Sequence, residues 1–379
     1  MRILYVITKS DIGGAQVFVL NLARAFRNNG DEVEVVAGDG DFLFRELDKY
    51  NIKYYYLNSL KRNFSVFNAL YFVFQLRSLL KRNKYDVVHL NSSNTLIGAA
   101  ASLFLKNKPK NVFTFHGLSF IDKNFNPNFI VKYLAKLYFK IFLKAIDEII
   151  FECRMNYDEL AGERMFKNAR IIYNGLNPEE LEFLNADEAR KFLSDKCGTD
   201  LEKNFVIGST GRLAYQKNYE FLINNFHLIK EKMPDAKVII IGDGQDYDEY
   251  MRMIKERGIE NDFYLLGEIK NSHRFISGFD LFTLTSRYEG VAISLIEAIY
   301  SNTPVLVSNV GGNPDVVGMD SNQLFELDNT EEYLEKLLKI RHERKKIVEH
   351  NASLRVDFSL SKMVNNYKEV YFTTGNSQV

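Results

Sequence analysis

Short runs of β-branched and aromatic residues alternate with longer amphipathic segments along the whole chain. In the first half the strand-like runs are "RILYVI", "EVEVVA", "KYYYL", "DVVHL", "NVFTF", "EIIF" and "RIIY". In the second they are "FVIGST", "KVIIIG", "FYLLG", "DLFTL" and "TPVLVS". Helical periodicity fills the intervals, as over 16–28, 68–81 and 219–232. Strands alternating with helices predict parallel sheets covered on both faces. The series restarts near Phe205, after a polar and charged stretch over 177–204. At 379 residues the chain exceeds what one core usually organises. The pattern therefore predicts an α/β protein of two facing, Rossmann-like, doubly wound domains with an interdomain cleft. The first spans 1–176 and the second 177–358, and a C-terminal helix over about 359–379 packs back on the first.

Composition narrows the class. Hydrophobic residues make up 46% and charged residues 26%, which is ordinary for a globular protein and excludes a disordered one. The two cysteines, Cys153 and Cys197, give no disulfide framework and suit a reducing cytoplasm. The N-terminal "MRILYVITKS" reads as a first strand, not a secretory signal, and no uncharged apolar stretch reaches the ~18 residues of a membrane span. A net charge of zero hides an asymmetry: 1–180 holds 25 Lys and Arg against 18 Asp and Glu, and the rest holds 24 against 31. Within 60–145 there are 14 basic residues and two acidic ones, so this region expects an anionic partner.

The residues with chemical potential cluster just after predicted strands, where ligands bind in such sheets. After the first strand, Gly13 and Gly14 open a helix, whose N-terminus favours anions; without the full G-x-G-x-x-G spacing, a dinucleotide reading is weak. His116 follows "NVFTF", and its place at a strand end outweighs the ordinary reading of a lone histidine as structural. His89, inside "DVVHL", reads as core. After "FVIGST", Arg212 and Lys217 pair a forked donor with a point charge, a combination suited to a diphosphate; the bland alternative is two solvated cations. In "SRYEGVAISLIEA", Glu289 and Glu297 are separated by seven residues. A helix starting near Gly290 sets them roughly 10 Å apart along its axis, long for a glycosidase pair at about 5–9.5 Å. That spacing fits two hydroxyl-bearing ends of one nucleotide-sugar; otherwise Glu297 snorkels to a solvent edge. Asp246 and Asp248 form a D-x-D, but it opens a helix, where acids are expected from the dipole alone.

In order along the chain, Gly13–Gly14, "HGL", "YNGL", "GRL" with Lys217 and Asn218, "GDG", "EGVAISLIEA" and "NTPVLVSNVGGNPDVV" resemble the retaining glycosyltransferases of family 4 with the GT-B architecture. The resemblance covers nearly the whole chain. It implies that Arg212 and Lys217 stabilise the departing diphosphate, Glu297 holds the ribose and Glu289 contacts the donor sugar. Backbone amides of Gly290, Val291, Ala292 and Ile293 line the phosphates and sugar. His116 touches the donor sugar, Gly13–Gly14 border phosphate and acceptor, and Ile269 marks the base pocket. Two positions depart from the pattern: Asn177 stands where Asp is common, and Ala292 where Gly or Pro is frequent.

No cofactor and no metal are expected, since cations and a helix dipole take the metal's place at the leaving group. The implied activity is transfer from a UDP- or GDP-sugar to a saccharide, with a lipid-diphosphate-linked acceptor expected from similarity to capsule, O-antigen and exopolysaccharide transferases. The expected location is cytoplasmic, peripheral on the inner membrane face. Residues 129–144 support the membrane expectation: 12 apolar or aromatic residues, four lysines and no acid. The alternative for this helix is burial between sheet and neighbouring helices. Three other functions compete. A nucleotide-sugar epimerase on the same fold needs more acid and base side chains. A nicotinamide dehydrogenase needs the glycine fingerprint. A basic nucleic-acid binder leaves the acidic half unexplained.

Overall fold

The computed structural model describes the chain except for residues 62–64, 119–121, 123, 125–127, 163–165, 167–168 and 373–379. The first seven strands are β1 (Arg2–Ile7), β2 (Glu32–Ala37), β3 (Lys53–Tyr56), β4 (Val87–Asn91), β5 (Lys110–Phe115), β6 (Glu148–Phe151) and β7 (Ala169–Ile171). Six more complete the set: β8 (Phe205–Thr210), β9 (Ala236–Ile241), β10 (Phe263–Leu265), β11 (Leu281–Leu284), β12 (Val305–Ser308) and β13 (Leu324–Phe325). Helices α1 (Gly14–Asn28), α2 (Phe42–Lys49), α3 (Val66–Arg82), α4 (Phe129–Phe142), α5 (Arg154–Gly162) and α6 (Ala186–Cys197) come first. After them come α7 (Tyr219–Lys232), α8 (Tyr247–Glu256), α9 (Ile293–Tyr300), α10 (Asn313–Val317), α11 (Thr330–Leu354) and α12 (Leu360–Phe372). Every strand foreseen from periodicity forms. The two-residue β13 was not foreseen, being too short to show a period.

Two compact units result. One is Met1–Gly175 joined by the chain from Leu360 onward; the other is Leu176–Ser359. The first holds a seven-stranded sheet in the order β3-β2-β1-β4-β5-β6-β7, the second a six-stranded sheet in the order β10-β9-β8-β11-β12-β13. All strand pairings within these sheets are parallel. Parallel strands are covered on both faces, and the sequence shows it: every residue of β1 after Arg2 is buried, as is every residue of β9.

In the first unit one face of the sheet packs α3, the turn helix Ser93–Ser102 and α4 around Phe72, Leu96, Phe113 and Phe139. The opposite face packs α1 and α12 around Phe18, Phe26, Tyr367 and Tyr371. His89 is core. Its Nδ1 meets the Tyr371 hydroxyl at 2.7 Å and its Nε2 meets Thr114 Oγ1 at 2.8 Å. Thr114 in turn bonds Tyr367 at 2.9 Å. Burial holds the His89 imidazole well below its usual pKa, so the neutral ring serves these bonds. The last seven residues of the helix expected over 359–379 lie outside the described residues.

In both sheets the strand order reverses about one strand pair, between β1 and β4 in the first unit and between β8 and β11 in the second. Loops leaving such a pair diverge, opening a crevice beyond their carboxyl ends.

Candidate active site

In the second unit the crevice is framed by the loops that leave β8 and β11. The chain leaves β8 through Gly211 and the exposed Arg212, and forms a one-turn helix, Tyr215–Lys217. It leaves β11 through Thr285, Ser286 and Glu289. Lys217 Nζ donates to Glu289 Oε1 at 2.7 Å, Ser286 Oγ to the same oxygen at 2.7 Å, and Gln216 Nε2 to Oε2 at 3.1 Å. With side chains 7% and 13% exposed, Glu289 and Lys217 form a buried ion pair whose carboxylate also takes two neutral donors. That full set of partners is what makes a charge tolerable there.

The loop carrying Glu289 is pinned from both sides. Arg287 N–H donates to Gln216 O at 2.8 Å and Thr285 Oγ1 to Lys217 O at 3.0 Å. From the other side, Gly312 N–H donates to Gly290 O at 2.8 Å. Gly311 has φ 52°, and a Cβ there would stand 2.1 Å from the Glu289 carbonyl oxygen, so only glycine lets the strand-end loop lie this close.

The helix between the two glutamates is shorter than expected. It begins at Ile293, with Ala292 as its extended N-cap; Gly290, Val291 and Ala292 precede it. The 10 Å separation read along a continuous helix therefore does not apply, and only the ~6 Å from Ile293 to Glu297 follows helical rise. Gly290 and Val291 instead form a bend, and the Gly312 N–H that donates to the Gly290 carbonyl at 2.8 Å holds it there. The first amides of α9 remain directed along its axis toward the crevice end, where anions are favoured.

Glu297 lies one turn into α9, 17% exposed, with His273 Nδ1 at 4.0 Å. Burial without a compensating cation pushes its pKa up to about 8. Burial likewise lowers that of His273. Half-buried Ile269 lies in the loop running from β10 to the turn that bears His273, the neighbour of Glu297 in this segment. Asp246 is the N-cap of α8 and Asp248 lies in its first turn, the dipole-favoured positions.

In the first unit, β1 leads to Gly13, the N-cap of α1, and Gly14, its first residue. Gly13 is extended at φ 175°, which any residue adopts, so no glycine-specific conformation is needed there. At the reversal, just past the ends of β1 and β4, Thr8 Oγ1 and Ser92 Oγ are 2.5 Å apart, and Ser92 holds the left-handed φ of 98°. His116 ends β5. Its Nδ1 faces Glu152 Oε1 at 2.5 Å, its Nε2 faces Asn91 Oδ1 at 3.0 Å, and Phe18 packs edge-on at 4.7 Å. The ring is thus fixed in place by groups at the ends of β4 and β6.

Gln216, Ser286, Glu152 and Asn91 were missed in the sequence. Each follows or ends a strand, the signal used for His116 and Arg212, but none has a distinctive neighbour.

The model for "Glycosyltransferase Family 4" matches residues 12–180 and that for "Glycosyl transferases group 1" matches residues 192–354. The chain is 25% identical over 374 residues to the UDP-Gal:alpha-D-GlcNAc-diphosphoundecaprenol alpha-1,3-galactosyltransferase of Escherichia coli, covering 95% of this chain and 94% of the relative. It is 24% identical over 349 residues to the capsular polysaccharide biosynthesis glycosyltransferase CapM of Staphylococcus aureus, covering 89% and 88%. Among solved structures, Anabaena HepE in complex with UDP and glucose superposes with a TM-score of 0.79 at 19% identity, covering 99% of this chain and all of that one.

Proposed function

This chain belongs to the GT-B glycosyltransferases, pairing a family 4 first half with a group 1 second half, and from that premise we propose the reaction it performs. It transfers a sugar from a UDP-sugar, with retention of anomeric configuration and without a metal, to a saccharide carried on a lipid diphosphate during bacterial surface polysaccharide synthesis. UDP and the diphosphoundecaprenol acceptor appear in the name of the E. coli relative, and capsule synthesis in that of the S. aureus relative.

The observation that carries the reading is the buried Lys217–Glu289 pair at the end of β8 and β11, next to the start of α9. Lys217 and the exposed Arg212 neutralise the diphosphate as the glycosidic bond breaks, and the α9 amides take its remaining oxygens. Glu289 orients Lys217 and accepts hydrogen bonds from the donor sugar. Glu297 accepts from the ribose, and the Ile269 loop borders the base. For the first unit the reading keeps His116 for the transferred sugar, and Gly13 and Gly14 for phosphate and acceptor. An acceptor on a lipid diphosphate is presented at a membrane surface, so the enzyme works peripherally on its anionic inner face.

The test is a donor screen by nucleotide release, with UDP- and GDP-sugars, a polyprenyl-diphosphate saccharide as acceptor, and excess chelator in parallel. Release with UDP-sugars that needs acceptor, survives chelator and keeps the donor's anomeric configuration supports the reading. A new nucleotide-sugar formed without acceptor would mean an epimerase instead. Activity lost to chelator and restored by Mg²⁺ or Mn²⁺ would return Asp246 and Asp248 to consideration.

A further inference from the structure

Fourteen of the 22 large hydrophobic side chains exposed among the described residues lie between Val66 and Ile141, on α3, α4 and the turn at Leu103 and Phe104. Soluble surfaces rarely gather so much apolar area in one place. On α3 the core face carries Ala69, Phe72, Leu76 and Leu80. Its opposite face carries Val66, Phe67, Leu70, Tyr71 and Phe74, exposed by 50–85%. These recur at i, i+4 and i+8 and then give way to Arg77 and Lys81.

Helix α4 has three faces. Phe139 is buried and Ala135, Tyr138 and Phe142 pack inward beside it. Ile130, Tyr133, Leu134, Leu137 and Ile141 line a second face, exposed by 43–61%. Lys132, Lys136 and Lys140 line the third, one turn apart. Helical periodicity thus spends one stripe on the sheet and leaves a second apolar stripe outward.

Both helices flank the turn helix Ser93–Ser102 on one side of the sheet. Tyr138 Oη donates to Ser93 O at 2.9 Å, and Arg77 Nη1 donates to Ala101 O at 3.0 Å and Leu103 O at 2.6 Å. The Arg77 bonds hold the turn that presents Phe104, which is 97% exposed at the left-handed φ of 60°. A bulky side chain in that conformation is strained and gains no packing within the chain.

We propose that this face of α3, Phe104 and α4 is a membrane-docking surface that seats its apolar stripes in the interface of an anionic bilayer. It deepens the reading of a lipid-carried acceptor and rests on it for its purpose, though not for its physics. The charge chooses the occupant. Basic residues flank the apolar stripes, and 60–145 carries 14 basic residues and two acidic ones. A second copy of the chain on this face would oppose like charges, because a twofold interface pairs a patch with itself. Anionic headgroups complement the lysines, and the acyl boundary takes the aromatics. No described helix is long and apolar enough to cross the membrane, so the surface lies on it.

Flotation of the full chain tests this with vesicles of phosphatidylcholine alone and of phosphatidylcholine mixed with phosphatidylglycerol. Binding is expected only to the mixed vesicles, and to fall with salt. K132Q/K136Q/K140Q is expected to lower partition about a hundredfold, from roughly fivefold per lysine. F67S/L70S/F74S and, separately, F104S are expected to lose binding while keeping the wild-type circular dichroism. UDP affinity is read on the same samples. Intact UDP binding with no flotation, or flotation indifferent to lipid charge, overturns the docking surface and spares the glycosyl-transfer reading. Flotation without UDP binding does the reverse. A sedimenting dimer that F67S/L70S/F74S dissolves would show a second copy on this face and would also overturn it.

Discussion

Glu297 carries the clearest pH signature of any single residue in the second unit. A carboxyl harder to ionise in the folded than in the unfolded chain subtracts stability as pH rises. The loss starts above the unfolded value of 4.5 and is complete above about 8. E297Q should therefore match wild type near pH 4.5 and exceed it in thermal midpoint at pH 8. If the ribose hydroxyls donate to the carboxylate, UDP binding should expel a proton, and wild-type affinity should fall as pH drops below about 8. Calorimetry in buffers of different ionisation enthalpy reads that proton directly, and equal apparent enthalpies would exclude the ribose role. Glu289 should behave otherwise. E289A leaves the Lys217 ammonium, 13% exposed, without its carboxylate, and should cost roughly 3 kcal/mol of stability with a sharp drop in turnover. E289Q keeps the Ser286 and Gln216 bonds and should recover much of the stability but little of the turnover. E297A should weaken UDP itself by roughly 1.5–3 kcal/mol, the value of a hydrogen bond to a charged group. Equal losses of UDP affinity in E289A and E297A would contradict this division of roles.

At the scale of elements, the loop over 285–292 decides where the site residues go, and it was the part least legible in the sequence. The strands announced themselves because parallel strands buried on both faces read as apolar runs. Arg212, Lys217, His116 and Glu289 could be picked out because they follow such runs. That Lys217 reaches Glu289 depended instead on strand order, since β8 and β11 are sheet neighbours although β9 and β10 lie between them in the chain, and no local pattern encodes that. The start of α9 was misplaced because the helical pattern of "AISLIEA" was carried back over Gly290 and Val291, both weak helix formers, where the bond from Gly312 to Gly290 holds the loop instead. The outward stripe of α4 was half legible: its lysines were visible, but which apolar residues face the sheet was not. G311A should test the loop's hold on Glu289. Both its φ and the 2.1 Å approach to the Glu289 carbonyl disfavour a side chain, so about 1–3 kcal/mol of stability should go. Turnover should fall further than UDP affinity, because the displaced residue is Glu289. F104G should act in the opposite direction, raising the thermal midpoint by relieving the left-handed φ while reducing vesicle binding.

For the whole molecule, the sheet of the first unit is finished by a helix encoded at the far end of the chain. Y371F removes the partner of His89 Nδ1 from the core and should cost about 1–2 kcal/mol in the first unit, read as an earlier thermal transition. Deleting α12 should do far more, exposing the face of Phe18 and Phe26 that Tyr367 and Tyr371 cover. During synthesis the part of this face that α12 covers, beside α1, stays open while the 184 residues Leu176–Ser359 are made. At the usual pace of translation that wait lasts roughly 10 to 40 s. The second unit can close as soon as it emerges, so the half made first is the half completed last. For that interval the nascent chain carries an open apolar sheet face and is a natural client for whatever shields such faces at the ribosome exit. A circular permutant that places α12 ahead of β1 should shorten its dependence on that shielding while giving up only contacts at the joined ends, such as the Met1 ammonium with Asp31 at 2.8 Å.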